Sequence, residues 1–137
     1  MEFEITNNVS EKDQNAVFQG LLKYNRSHLG DSEPEDLGIY LRNEEGMVTA
    51  GLVGNTFGLW LMVKYLWISE ELREQGIGSR ILLKGEETAK ERGCRYVFLD
   101  TFSFQAPNFY KKYGYTEVLT LENYPVDGKR HYFTKTL

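Results

Sequence analysis

The chain has 137 residues, a formal net charge of −4, 41% hydrophobic and 26% charged residues, and one cysteine. That length reads as a single domain over residues 1–137, and an acidic balance without a Lys/Arg-rich run lacks the footprint of a nucleic-acid binder. The longest apolar run, Leu59 to Val63, stops at Lys64, far short of the ~20 residues of a membrane helix. The acidic, alternating Met1-Glu2-Phe3-Glu4 does not read as a secretory leader, and lone Cys94 cannot form an internal disulfide, so a cytoplasmic setting is expected.

Glu2 to Thr6 alternates like a short strand. Ser10 then sits as an N-cap before a helix over Asp13 to Tyr24, where Ala16, Val17, Leu21 and Tyr24 recur at helical spacing. This helix is expected to end near Asn25. Arg26 to Asp36 is polar and broken by Gly30 and Pro34, a loop whose acidic residues Asp31, Glu33, Glu35 and Asp36 are solvated or attract a cationic amine. Leu37–Arg42 and Met47–Val53 read as a hairpin across Asn43-Glu44-Glu45-Gly46, and Asn55-Thr56-Phe57-Gly58 turns the chain into a third strand, Leu59–Ile68. Three strands on short loops make an antiparallel meander.

The stretch from Leu66 to Ser79 runs an apolar strand through a polar turn into a glycine-opened helix. Gly76 and Gly78 allow close backbone approach, and the N–H groups of a helix's first turn, with its dipole, favour an anion there. Phosphate is the expected guest. A Walker loop needs Lys and then Ser or Thr after its last glycine, but Gly78 is followed by Ser79 and Arg80. A dinucleotide fingerprint needs a third small residue where Ile81 stands, and a turn closing directly off the strand where Ser69 to Gln75 intervene; Asp100 is its one support.

Ile77 to Arg92 is the main helix, with Ile77, Ile81, Gly85, Thr88 and Ala89 on one face and Lys84, Glu86, Glu87, Lys90 and Glu91 mostly elsewhere. Gly85 on the inward face implies close packing on a sheet, and Gly93 is placed to end the helix. Tyr96–Thr101 reads as a buried strand, Ala106–Tyr113 as a short helix stopped by Gly114, and Tyr115–Leu121 with His131–Leu137 as a closing strand pair. Their aromatic residues, Tyr115 and Tyr132-Phe133, suggest an edge to cover, hence self-association as a homodimer. His28 and His131 are isolated, so no metal site is expected, and Cys94 reads as a buried thiol.

Arg73-Glu74-Gln75-Gly76-Ile77-Gly78 resembles the acyl-CoA pyrophosphate loop of the GNAT superfamily of N-acyltransferases. Phe104 to Tyr115, containing Phe109-Tyr110 and then Gly114-Tyr115, is similar to that family's later helix. The resemblance covers Leu37 to Tyr115 in detail. It implies an α/β domain of the α+β type, a mixed, mostly antiparallel sheet flanked by helices, with acetyl-CoA in a cleft between the splayed strands Leu59–Ile68 and Tyr96–Thr101. It implies cofactor contacts at Trp67, Ile68, Gln75, Gly76, Ile77, Gly78 and Ser79, with Arg73 capping the loop or touching a phosphate and Asn108 on the pantetheine arm or supporting its helix. The family's Asn six residues before the tyrosine is Phe104 here. Tyr110 would be the acid that protonates the departing thiolate. The implied activity is direct transfer of an acetyl group to a small-molecule or peptide amine. The alternative is a non-catalytic acyl-CoA-binding sensor or scaffold. Asp100 and Tyr65 are candidates by position for a base, with none assigned, and Glu70 and Glu71 are expected to be solvated.

Overall fold

The computed structural model describes residues 1–30 and 32–137. It contains α1 (Glu11–Leu29), β1 (Glu35–Arg42), β2 (Val48–Phe57), β3 (Trp60–Ile68), a 3-10 turn (Glu70–Leu72), α2 (Ile77–Glu91), β4 (Tyr96–Phe102), α3 (Pro107–Lys112), β5 (Thr116–Glu122) and β6 (Lys129–Thr136). Two compact units hold these elements, Met1–Ser32 and Glu33–Leu137.

In the first unit, Ser10 caps α1 as expected, its Oγ accepting from Asp13 N at 3.1 Å. Glu11 and Asp13 in the first turn and Arg26 and His28 in the last complement the helix dipole. The helix runs to Leu29, beyond the expected end at Asn25, because Arg26 to Leu29 contain no breaker; Gly30, at φ 71°, stops it, its N–H donating to Arg26 O at 3.2 Å. The expected loop shortens accordingly, and Asp31 lies outside the described residues. The expected strand over Glu2–Thr6 does not form. Phe3 and Ile5 are 85% and 92% exposed, and alternation without a partner strand makes no ladder.

The second unit is built on a six-stranded sheet of order β1-β2-β3-β4-β6-β5. Only β3 and β4 pair in parallel, so the mixed, mostly antiparallel sheet expected from the sequence is present. Asn43 closes the first hairpin by accepting at Oδ1 from Glu45 N and Met47 N, both 3.0 Å. β2 outruns its expected end at Val53: Asn55 and Thr56 pair with Met62 and Leu61, and the reversal comes at Gly58. Between these strands Val53 pairs with Tyr65 and Gly54 with Val63, leaving Lys64 as an extra residue. A Cβ on Gly54 would stand 2.1 Å from Met62 O, so a glycine is required at this bulge.

Helix α2 packs through Ile81, Leu82, Gly85 and Ala89. A Cβ on Gly85 would come within 3.2 Å of Leu52 Cδ1, which is the close helix–sheet approach its position implied. Leu52, Leu61, Leu82, Val97, Leu99 and Phe133 form the fully buried centre. Glu86, expected among the residues away from the packed face, is buried. It accepts from Tyr115 Oη at 2.7 Å and from Lys135 Nζ at 2.8 Å, partners that neutralise and satisfy it. Burial and the Glu86 carboxylate both push the Tyr115 phenol pKa up.

β6 lies between β4 and β5, so the sheet edges are β1 and β5. Tyr115 and Phe133, two of the three aromatic residues on which self-association was expected, are buried core residues, while Tyr132 is half-buried on the inner strand β6. Cys94 is buried as expected, which raises its thiol pKa.

Candidate functional site

The parallel pairing of β3 with β4 runs only from Trp60↔Tyr96 to Val63↔Leu99. β3 then follows β2 as far as Ala50↔Ile68, while β4 follows β6 as far as Phe102↔Arg130. Each strand keeps its outer partner, so the two diverge and leave backbone hydrogen-bonding groups of Tyr65–Ile68 without a strand opposite. The bulge at Lys64 begins this divergence. It also resets the alternation, so that Leu66 and Ile68 pack against the core while Tyr65 and Trp67 stand 70% and 51% exposed.

A cleft of about 610 Å³ opens from this wedge. Of the residues singled out from the sequence, Trp67, Ile68, Arg73, Gly76, Ile77, Gly78 and Ser79 line it. Gly76 adopts φ 74°, ψ 11°, and an added Cβ there would find nothing closer than Ser79 Oγ at 4.0 Å, so conformation rather than space demands glycine. Glu74 is also left-handed, at φ 64°, which coils the loop tightly ahead of α2. The first bond inside α2 runs from Arg80 N to Gly76 O at 3.2 Å, leaving the N–H groups of Ile77, Gly78 and Ser79 without intrahelical acceptors. Gly78 is wedged where a Cβ would touch Ile68 and Phe109 at 3.6–3.8 Å.

Arg73 caps the loop: its Nε donates to Ile68 O at 3.1 Å, pinning the loop to the end of β3. Ser79 Oγ donates to Gly76 O at 2.9 Å. Three expected contacts lie off the wall. Gln75 turns its side chain back to Glu71 O at 3.1 Å, and Asn108 is exposed on α3 beside the residues that reach the cleft. Tyr110 is 7% exposed and packs on Phe109, Tyr115 and Phe133, with ring centroids 5.1, 5.7 and 6.0 Å away. A six-residue helix presents only one side to the cleft, and here that side carries Phe109 and the following Tyr113. Phe104, Phe109 and Tyr113 are wall residues that sequence reasoning missed; the apolar spacing of α3 carried no sign of which side faced inward.

Burial, and secondarily the charge of Asp100, push the Tyr110 phenol pKa up to about 12. Asp100 itself is held by Arg130, whose Nε donates to Oδ2 at 2.6 Å. Three rings pack on the Arg130 guanidinium, those of Phe102, Tyr124 and Tyr132 at 5.9, 5.2 and 5.4 Å, and Nη1 donates to Tyr124 Oη at 2.9 Å. Phe104, 82% exposed, stacks on Phe102 at 5.3 Å. This aromatic shelf stands at the splayed end of β4. Nearby, His131 joins Ser103 Oγ (2.8 Å) to Glu117 (2.5 Å). Hydrogen bonds from Thr120 and His131 hold the Glu117 carboxyl pKa down at about 2.

The acidic segment lies elsewhere. Glu35 and Asp36 open β1 opposite Thr56 and Asn55, at the other end of the strands from the wedge, with their carbonyls bound by Arg92 at 3.3 and 3.0 Å. Glu35 and Asp36 are therefore remote from the cleft to which the acidic segment was considered to draw an amine. Glu70 and Glu71 are exposed as expected. Among the described residues no helix is long and apolar enough to cross a membrane, and no cluster of His, Cys, Asp or Glu could hold a metal ion.

Residues 35–117 match the model of the acetyltransferase (GNAT) domain. The chain is 36% identical over 121 residues to an acetyltransferase of Agrobacterium fabrum, covering 88% of each. It is also 36% identical over 99 residues to the blasticidin-S acetyltransferase of Streptomyces morookaense, covering 72% of this chain and 73% of that one. A crystal structure from Agrobacterium tumefaciens described as an acetyltransferase superposes over the whole of both chains with a TM-score of 0.95 at 33% identity.

Proposed function

The chain belongs to the GNAT acetyltransferase family and is an acyl-CoA-dependent acetyltransferase; from that premise we propose that it moves the acetyl group of acetyl-CoA to a primary amine of a small molecule. The observation that carries this reading is the juxtaposition of an unpaired strand end with a helix N-terminus in one cleft: β3 from Tyr65 to Ile68 beside the free amides of Ile77, Gly78 and Ser79. The amides and the α2 dipole suit the pyrophosphate. The strand suits pantetheine, whose amides can pair with it as an added strand would. Arg73 holds Ile68 O, so the loop and the strand are fixed relative to each other before the cofactor arrives.

Held in this way, the thioester would sit towards the apex of the wedge, where β3 and β4 stop pairing. The neutral amine nitrogen would add to its carbonyl carbon, the carbonyl becoming an oxyanion. Collapse of this tetrahedral intermediate would break the C–S bond, the nitrogen would shed one proton to solvent as the thiolate leaves, and the Tyr110 hydroxyl would donate a hydrogen bond to the sulfur as its charge develops. An ammonium of pKa ~10.4 must first lose its proton, at a cost of roughly 4.6 kcal/mol at pH 7. Asp100 is already engaged by Arg130 at 2.6 Å, so no base is assigned. A small-molecule acceptor is supported by the name of the blasticidin-S relative and by the exposed ring of Phe104 stacked on half-buried Phe102, which offers a face to a planar group.

The test is thiol release from acetyl-CoA against a panel of amines, including aminoglycosides, amino-acylated nucleosides, polyamines and lysine peptides, with binding followed by calorimetry. Turnover with a small amine supports the proposal. Tight acetyl-CoA binding without turnover on any amine supports the sensor reading.

A further inference from the structure

Two apolar surfaces remain without a role. One is the stripe on α1 formed by Val17, Phe18, Leu21 and Tyr24, which are 75%, 54%, 57% and 66% exposed; no residue of this 19-residue helix is buried. Most helical stability in proteins comes from packing of an amphipathic face rather than from propensity, and this face is uncovered. The other is a groove of about 660 Å³ on the face of the sheet opposite α2, walled by Phe57, Trp60, Met62, Phe98, Leu119 and Tyr132. Trp60 and Phe98 meet edge to face there at 5.9 Å, and both remain more than a third exposed.

The two surfaces match in size. The groove crosses five strands, β2, β3, β4, β6 and β5, which at about 4.8 Å per strand spans roughly 19 Å. The stripe from Val17 to His28, whose ring packs on Tyr24 at 5.1 Å, runs about 17 Å at 1.5 Å per residue. At the areas usual for such side chains the stripe exposes roughly 450 Å². Laid on an equal area of groove, and repeated across a two-fold axis, this removes about 1,800 Å² from solvent, within the range of stable specific interfaces. Reciprocal use of both surfaces by two identical chains closes the assembly and leaves no open stripe to extend it.

We propose that the occupant of the groove is a second copy of this chain, which seats its α1 across the open sheet face while its own groove receives α1 in return. Because the groove shares no lining residue with the cofactor cleft, the proposal stands or falls independently of the acetyl-transfer reading.

Sedimentation equilibrium at micromolar concentration should give twice the 15.9 kDa chain mass. Phe18→Glu with Leu21→Glu on α1, and separately Phe98→Glu in the groove, should each give the monomer. Circular dichroism checks that each variant remains folded, and the α1 variant decides should the groove variant unfold. Amide exchange adds a second readout: residues 17–24 should be protected in the wild type and exchange many-fold faster in Phe98→Glu. A monomeric wild type, or a dimer that survives the α1 substitutions, overturns the proposal.

Discussion

Replacing Tyr110 by Phe removes one oxygen and leaves the ring that packs on Phe109, Tyr115 and Phe133. Burial and the Asp100 charge push its phenol pKa up to about 12, which makes it a weaker acid than a phenol in water by about 3 kcal/mol. Full transfer to a thiolate whose conjugate acid has a pKa of ~8.5 is then uphill by about 5 kcal/mol. In the proposed role the hydroxyl would therefore act through a hydrogen bond to charge developing on sulfur, not as the source of a freely given proton. Deleting one such preorganised donor costs about 10²–10³ in kcat, or ~2.7–4 kcal/mol. The expected result is a fall of about 10²-fold in kcat with KM for acetyl-CoA nearly unchanged, because the substitution keeps the ring that packs on Phe109, Tyr115 and Phe133 and removes only the hydroxyl. Single-turnover kinetics with the best amine, across pH 6–10, is the assay, and the Tyr110 hydroxyl should stay protonated throughout. Tyr113→Phe is the control, since Tyr113 does line the cleft. A chemical step within twofold of wild type for Tyr110→Phe would refute the role, and a large loss in Tyr113→Phe instead would transfer it to that residue.

Gly76→Asp should weaken acetyl-CoA binding by about 1–4 kcal/mol through repulsion of the pyrophosphate; Gly76→Ala should show only the ~1 kcal/mol strain of a left-handed residue, and equal calorimetric affinities for the two would place the phosphates elsewhere. Glu117→Gln should be less stable than wild type at neutral pH, since a carboxyl pKa lowered from 4.5 to about 2 stabilises the fold above 4.5 and loses that contribution as pH falls towards 2. The gap in melting temperature should close over that window, and a gap unchanged at pH 2.5 would contradict it. Lys135→Met leaves the buried Glu86 with Tyr115 alone and should cost about 1–3 kcal/mol in urea unfolding. The double variant with Glu86→Leu should recover most of this loss, and an equally unstable double would show that packing rather than charge is at stake.

What the sequence determined by itself is what depends on neighbours a few residues away. Ser10 caps α1 because its hydroxyl reaches Asp13 N across one turn. Gly76, Gly93 and Gly114 take positive φ because only a residue without Cβ does so cheaply, and they fall where the elements change. The order of strands and helices and the cradle at the start of α2 follow from such local rules, which is why seven of the nine expected cofactor residues line the cleft. The exceptions, Gln75 and Asn108, lie on the loop and helix whose rotation about their own axes no local rule fixes. The tertiary structure decided everything requiring a partner far along the chain. The wedge exists because β6 returns to lie beside β4 and holds it while β2 holds β3. Glu86 is buried because Tyr115 and Lys135, 29 and 49 residues away, arrive to satisfy it. Tyr110 has a raised phenol pKa because Phe133 and Tyr115 close over it and Asp100 lies near. Burial, pairing and proton affinity are properties of the assembled neighbourhood, and the free energy of each is set by groups that sequence proximity does not bring together.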